Sequence, residues 1–157
     1  MKKENMLKLV FSIIICQAAG LIGALFTSSS VGSWYSTIQK PAFNPPNWIF
    51  GPVWTTLYIL MGVSLYVILT KRRNRKVKIG LTLFGIQLVL NSLWSFLFFG
   101  LERPLFGLIE IPILWVFILL TIIQFWKIDK KASYLLIPYL LWVTFAAVLN
   151  YYIWFLN

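Results

Sequence analysis

The sequence predicts an all-α membrane protein: a five-transmembrane-helix bundle with a long external loop between helices 1 and 2. Three observations carry this. Of 157 residues, 60% are hydrophobic and only 11% are charged, too few charges to solvate a globular domain of this size. The apolar residues gather in five runs of roughly 20, the length that crosses a hydrocarbon core of about 30 Å as helix. Those runs leave no stretch for a separate soluble domain, so residues 1–157 read as a single integral membrane domain.

The first run, 7–26, follows Lys2, Lys3 and Lys8 and so has the outline of a secretory signal. No small-residue cleavage pattern follows it, and Cys16 stands after Ile15 rather than after a small residue, so it is read as a span. Cys16 lies about halfway along it and reads as a small buried apolar side chain. Residues 27–48 then form the long connection, with Trp34, Tyr35, Pro41, Pro45, Pro46 and Trp48. A connection longer than about 12–15 residues is usually a functional lid or a disordered linker. Its aromatics and its Lys40-Pro41 and Pro45-Pro46 steps favour a lid packed in a fixed shape on the helix ends. The remaining spans are 49–70, 79–100, 104–126 and 133–156, joined by short turns.

Charge orients these spans. Twelve of the fourteen Lys and Arg fall at the N-terminus, in the Lys71–Lys78 connection and at Lys127, Lys130 and Lys131, whereas the opposite side holds only Lys40 and Arg103. The positive-inside rule then places the N-terminus in the cytoplasm and the C-terminus outside. The net charge of +10 is therefore a topology signal, and the Lys71–Lys78 cluster reads as an anchor to anionic headgroups rather than a nucleic-acid site. The chain has no His and one Cys, which excludes His-ligated haem, a zinc site, a Ser-His-Asp triad and a disulfide framework. Function has to rest on aromatics, amides, a few carboxylates and shape.

Helical geometry aligns those groups. Gln87, Asn91, Trp94, Ser95 and Phe98 share an arc of roughly 100° on the third span; Tyr139, Trp142, Ala146 and Asn150 share roughly 80° on the fifth; Trp54, Tyr58 and Met61 share about 60° on the second. Such stripes turn from lipid toward the bundle interior. By rise per residue, Trp54, Asn91, Glu110 and Asn150 lie within about 9–14 Å of the external ends, with Trp142 and Gln87 deeper. The expectation is an intramembrane pocket with aromatic walls, a few polar points and the long loop as its lid. Taken singly, Asn91, Ser95 and Asn150 also suit plain interhelical hydrogen bonding, and Trp48, Trp126 and Trp154 suit an interfacial belt. Glu110, the only carboxylate well inside a span, is expected to be protonated or hydrogen-bonded to neighbouring helices. Ala19-x-x-x-Gly23 and Gly20-x-x-x-Ala24 permit close helix approach, within the fold or at a homodimer seam.

Three separated blocks are more specific. They are Trp34-Tyr35…Lys40-Pro41…Pro45-Pro46…Phe50-x-Pro52-Val53-Trp54…Leu57-Tyr58…Met61-Gly62, then Gln87-x-x-x-Asn91-x-x-Trp94-Ser95…Phe98-Phe99-Gly100, then Pro138-Tyr139-x-x-Trp142…Phe145-Ala146…Leu149-Asn150. Together they closely resemble the tryptophan-rich sensory protein / translocator protein (TspO/MBR) family. The resemblance implies a five-helix bundle, commonly homodimeric, in a bacterial cell membrane, whose cavity beneath the first external loop binds porphyrins such as protoporphyrin IX or haem. It implies ligand-lining roles for Tyr35, Pro45, Trp54, Asn91, Trp94, Tyr139, Trp142 and Ala146. It further implies, for bacterial relatives, light- and oxygen-dependent porphyrin breakdown, with Trp54 and Trp142 as the residues implicated. Animal members have a sterol motif that needs a basic residue after the tyrosine at the end of the fifth helix. Here Tyr151-Tyr152 is followed by Ile-Trp-Phe-Leu-Asn, which lacks it.

The functional expectation is a membrane porphyrin-binding protein acting as a sensor or regulator of tetrapyrrole and stress responses. The alternatives are a photo-oxidative porphyrin-degrading enzyme and a porphyrin or lipid transporter. The partners expected are a small-molecule porphyrin, as ligand or substrate and not as a resident cofactor, together with membrane lipids and a second copy of the chain. No metal and no nucleic acid are expected.

Overall fold

The computed structural model describes residues 3–157; Lys2, counted above among the orienting cations, lies outside them. The elements are α1 (Lys3–Val31), α2 (Trp34–Thr37), α3 (Asn47–Leu69), α4 (Arg75–Ser95) continuing as a π-helical turn (Phe96–Gly100), α5 (Pro104–Trp126), α6 (Lys130–Tyr134) and α7 (Ile137–Leu156). The described residues contain no strand. Five helices are long and apolar enough to cross a membrane: Lys3–Val31, Asn47–Leu69, Arg75–Gly100, Pro104–Trp126 and Lys130–Leu156. The backbone polar groups of such spans must be satisfied within the segment, which is why a chain this apolar folds as continuous helix.

Two boundaries correct the sequence reading. The connection placed at 27–48 begins instead after Val31, because α1 runs through Thr27-Ser28-Ser29-Ser30. Hydroxyl residues signal a loop when they compete for backbone groups, but here they bond back along the helix: Thr27 Oγ1 donates to the Gly23 carbonyl at 3.1 Å, and Ser29 Oγ to that of Phe26 at 2.9 Å. The connection also has helix of its own, α2. The fifth span is interrupted after Tyr134 and restarts at Ile137, where Pro138 is tolerated because the first turn of a helix needs no intrahelical donor.

The basic end of the bundle is closed by polar caps. Asn74 accepts a hydrogen bond from the Val77 amide at 3.0 Å to start α4, and Asp129 accepts one from the Lys131 amide at 2.8 Å to start α6. Lys71 Nζ lies 2.5 Å from Asp129 Oδ2, tying the α3–α4 turn to the α5–α6 turn. The hydrogen bond from Lys71 holds the Asp129 carboxyl below its ordinary range, against an opposing push from burial. Above this end, Met61, Ile68, Ile111, Leu114, Ile118, Phe125 and Tyr139 form a dry core.

From this end toward the middle of the bundle, α1 and α3 pack through glycines. Gly62 brings α3 so close to α1 that a Cβ there would lie 2.6 Å from the Ile13 Cα, and the ring of Tyr58 fills the space above Gly20. Gly23 faces Ser95 of α4 in the same way. Gly20 and Gly23 thus serve packing within the fold. Outward of these contacts α1 stands apart from α3, and a cavity occupies the space.

Candidate functional site

The cavity has a volume of about 410 Å³ and is bounded by α1, α3, the α4–π segment and α7, within the range of small-molecule sites. Eight aromatic side chains line it. Trp54 of α3 stacks on Tyr58, one turn on, with ring centroids 5.5 Å apart and planes at 28°. Trp94 stacks on Phe98 at 5.1 Å and 20°. Trp142 of α7 meets Phe50 edge-on at 6.2 Å and Phe145 at 5.5 Å. These pairings hold the rings as fixed surfaces, since aromatic contacts at such separations add about 0.5–1.5 kcal/mol beyond simple burial.

Polar residues lock the wall from behind. Tyr58 Oη donates to Asn91 Oδ1, and Asn91 Nδ2 donates in turn to Tyr139 Oη at 2.9 Å, so one amide joins α3, α4 and α7. Nearer the lid, Trp94 Nε1 donates to Asn150 Oδ1 at 3.2 Å, and Asn150 Nδ2 donates to the Pro104 carbonyl at 2.8 Å. That second pair takes up a carbonyl which the proline-initiated helix α5 brings to this junction. All three amide and phenol hubs, Asn91, Tyr139 and Asn150, are at most 2% exposed.

The lid lies across the outer end. Tyr35 of α2 is buried on Phe98 and Phe99, and its hydroxyl donates to Asn44 Oδ1 at 2.8 Å. Burial pushes the Tyr35 phenol up to about 12, so it remains a neutral donor at physiological pH. Lys40 donates to the Ile38 carbonyl at 3.1 Å and places its ammonium 4.8 Å from the centre of the Tyr35 ring. Phe43 packs edge-on against Phe145 and Tyr152 of α7. The Asn157 side chain and the Gln39 backbone exchange two hydrogen bonds of 3.0 Å, which pin the loop to the end of α7.

The structure sorts the expected site residues into two groups. Tyr35, Trp54, Trp94, Trp142 and Ala146 line the cavity. Asn91 and Tyr139 stand behind Tyr58, one layer away, and Pro45 lies in the lid outside the lining. Residues that single stripes did not point to also line it: Gln17, Leu21, Ala24 and Ser28 on α1, and Asn47, Gly51 and Thr55 on α3. Their spacing of three, four or eight residues is the available signal, but it is carried by small and ordinary side chains. Glu110, expected to be protonated or hydrogen-bonded to neighbouring helices, is 5% exposed, and among the described residues neither carboxyl oxygen has a hydrogen-bond partner, so the hydrogen-bonded alternative is not met. The Gln87 amide is likewise buried and unpartnered. Trp48, Trp126 and Trp154 are exposed at the ends of the bundle, as an interfacial belt requires. No group of three or more His, Cys, Asp or Glu among the described residues is arranged to hold a metal ion.

Known proteins share this arrangement of sequence. The chain is 46% identical to the tryptophan-rich protein TspO of Chlorobaculum tepidum, over 98% of both chains. It is 48% identical to the tryptophan-rich protein TspO of Archaeoglobus fulgidus, over 98% of this chain and 99% of the relative. It is 35% identical to the translocator protein of Bos taurus, over 86% of this chain and 81% of the relative. The sequence profile of the TspO/MBR family matches residues 12–155, which takes in the second, third and fourth spans whole, most of the first and fifth, the lid and every wall residue of the cavity. With five membrane-crossing helices and a match of that extent, this integral, multi-pass membrane chain belongs to the TspO/MBR family.

Proposed function

We propose that the chain binds a porphyrin in the cavity beneath the lid and acts as a sensor or regulator of tetrapyrrole and stress responses. The observation that carries this reading is the wall itself: Trp54, Trp94 and Trp142, each held by a neighbouring ring, around one intramembrane cavity. A flat apolar macrocycle is matched by rigid indole faces, and its two propionates are matched by the polar, lid-side end of the site. The name of one relative, the tryptophan-rich sensory protein of Cereibacter sphaeroides, supports a sensory role. On the same reading the N-terminus is cytoplasmic and the C-terminus external in a bacterial cell membrane, from the distribution of Lys and Arg. The chain works there as a homodimer.

A second reading has its own observation. Trp54 and Trp142 both face the cavity, so a porphyrin excited by light in the presence of oxygen would have oxidisable indoles beside its edge. That geometry suits photo-oxidative breakdown of the macrocycle, with Trp54 and Trp142 as the participating residues.

One experiment tests both readings. Purified protein in nanodiscs is mixed with protoporphyrin IX and followed by absorption, in darkness and under illumination, for wild type, Trp54→Phe and Trp142→Phe. Saturable binding with a stable spectrum in light supports the sensor. Light-dependent loss of porphyrin that either substitution abolishes supports the enzyme. Absence of saturable binding in wild type refutes both.

A further inference from the structure

The cavity is roofed on its loop side but open on another. Its lining includes two facing helical stripes: Gln17, Leu21, Ala24 and Ser28 on α1, and Asn47, Gly51 and Thr55 on α3. All of these except Gln17 are exposed, Leu21 at 67%, although they belong to the same cavity as the half-buried Trp54, Trp94 and Trp142. A side-chain carbon added at Gly51 would meet nothing within 4 Å. Toward the basic end the two helices are in tight contact at Gly62–Ile13 and Gly20–Tyr58. Gln17 Nε2 donates to the Thr55 carbonyl at 3.1 Å, and among the described residues no hydrogen bond joins α1 to α3 outward of that bond. The exposed lining of α1 and α3 thus borders a slot that lies outward of the Gln17–Thr55 bond and the Gly20–Tyr58 contact.

The depth of the slot decides what it faces. From Asn47 to Thr55 it runs about 12 Å along α3, and from Leu21 to Ser28 about 10 Å along α1, at 1.5 Å per residue. One leaflet of the hydrocarbon core is about 15 Å thick. The slot thus falls within the depth of the loop-side leaflet and presents the cavity to lipid. On the loop side the cavity ends at Tyr35, and the loop is held in place by Tyr35 with Asn44, Gln39 with Asn157, and Phe43 with Phe145 and Tyr152.

We propose that the gap between α1 and α3 is a lateral portal through which the cavity exchanges its ligand directly with the loop-side leaflet of the bilayer. The ligand class this selects is a membrane-partitioning amphiphile. A flat or elongated apolar body slides between Leu21 and Gly51 to the tryptophan wall, while its polar edge travels at headgroup level past Ser28 and Asn47. Gly51 and Ala24 keep the opening wide, and Tyr35 closes the top without taking part in entry. The porphyrin is one member of that class, so this inference rests on the proposed function for its ligand but not for its route.

The test uses the full chain in nanodiscs whose lipid already contains protoporphyrin IX, with association read by stopped-flow quenching of tryptophan fluorescence. The double variant Ala24→Leu/Gly51→Leu narrows the slot, and Asn157→Ala releases the lid. Lateral entry predicts association at least tenfold slower in the slot variant and unchanged within twofold in Asn157→Ala. Equal rates for wild type and the slot variant, or a severalfold acceleration in Asn157→Ala, would overturn the proposal. A second readout needs no porphyrin: phosphatidylcholine brominated on its acyl chains should quench wild-type tryptophan emission more than that of the slot variant, because only the open slot admits a chain to the wall. Identical quenching in the two proteins would overturn the portal. If wild type binds no porphyrin, the porphyrin reading falls and the brominated-lipid comparison alone decides the portal.

Discussion

Replacing Asn91 by Leu separates the framework of the site from its surface. The amide accepts from Tyr58, donates to Tyr139, and is itself 2% exposed. Leu is close to Asn in volume, so the substitution opens little cavity and its cost is that of two interhelical hydrogen bonds. In membrane proteins such bonds average about 0.6 kcal/mol and reach about 1.7 kcal/mol, which puts the loss at about 1–3 kcal/mol. The upper part of that range is expected here, since both phenol hydroxyls stay buried with their partner gone. The assay is reversible unfolding in mixed micelles titrated with SDS, followed by circular dichroism, for Asn91→Leu, Tyr139→Phe and the double variant. The two substitutions remove one shared bond, so the double variant should fall short of additivity by about 0.5–1 kcal/mol. Because Asn91 stands behind Tyr58 and does not line the cavity, affinity for protoporphyrin IX should change less than threefold. A stability within about 0.3 kcal/mol of wild type, or additive single effects, would refute the assignment of Asn91 as the joint between α3, α4 and α7.

Three more outcomes follow from the packing and the caps. Gly62→Ala places a methyl 2.6 Å from the Ile13 Cα, and since backbone cannot yield as a side chain can, thermal unfolding in detergent should show a loss of about 1–3 kcal/mol; Gly51→Ala, which meets nothing, is the control and should be neutral or stabilising by up to about 1 kcal/mol. Tyr35→Phe deletes the bond to Asn44, and hydrogen exchange across residues 38–46 should quicken by about fivefold, as expected for one bond of about 1 kcal/mol. Asp129 has its carboxyl lowered below the ordinary 3.8, first by the hydrogen bond from Lys71, so the unfolded chain binds the proton more readily than the folded one. Its stabilising contribution is then complete above that value and is lost as pH falls through the lower folded one. Melting temperature should accordingly drop below pH 4 in wild type and show a smaller acid drop in Asp129→Asn.

Much of the bundle was legible because a span is set by a single physical requirement, enough consecutive apolar residues to cross hydrocarbon. The inward stripes were legible for the same reason in reverse: amides and phenols avoid lipid, and Gln87, Asn91, Tyr139 and Asn150 are all buried. The end of α1 was not, since Thr27, Ser28 and Ser29 read as loop until their hydroxyls are seen bonding to carbonyls of the preceding turn. The division between wall and framework was not legible either. Asn91 and Tyr139 share the periodicity of Trp94 and Trp142, and a stripe roughly 80–100° wide holds both the residues that face a cavity and those one layer behind it. The α1 wall escaped notice because Leu21, Ala24 and Ser28 are ordinary on a membrane helix; only the separation of α1 from α3 gives them a role.

The central claim is that the tryptophan-walled cavity is the ligand site, and Ala146 offers the most direct test of it. Its side chain lines the cavity beside Trp142, so Ala146→Trp fills the space with an indole while leaving the hydrogen-bonded framework of Asn91 and Asn150 in place. Protoporphyrin IX is titrated into wild type and Ala146→Trp in nanodiscs, with helicity checked by circular dichroism. The account predicts saturable, one-to-one binding in wild type and affinity at least tenfold weaker in an equally helical variant. Equal affinity in the two proteins would contradict it.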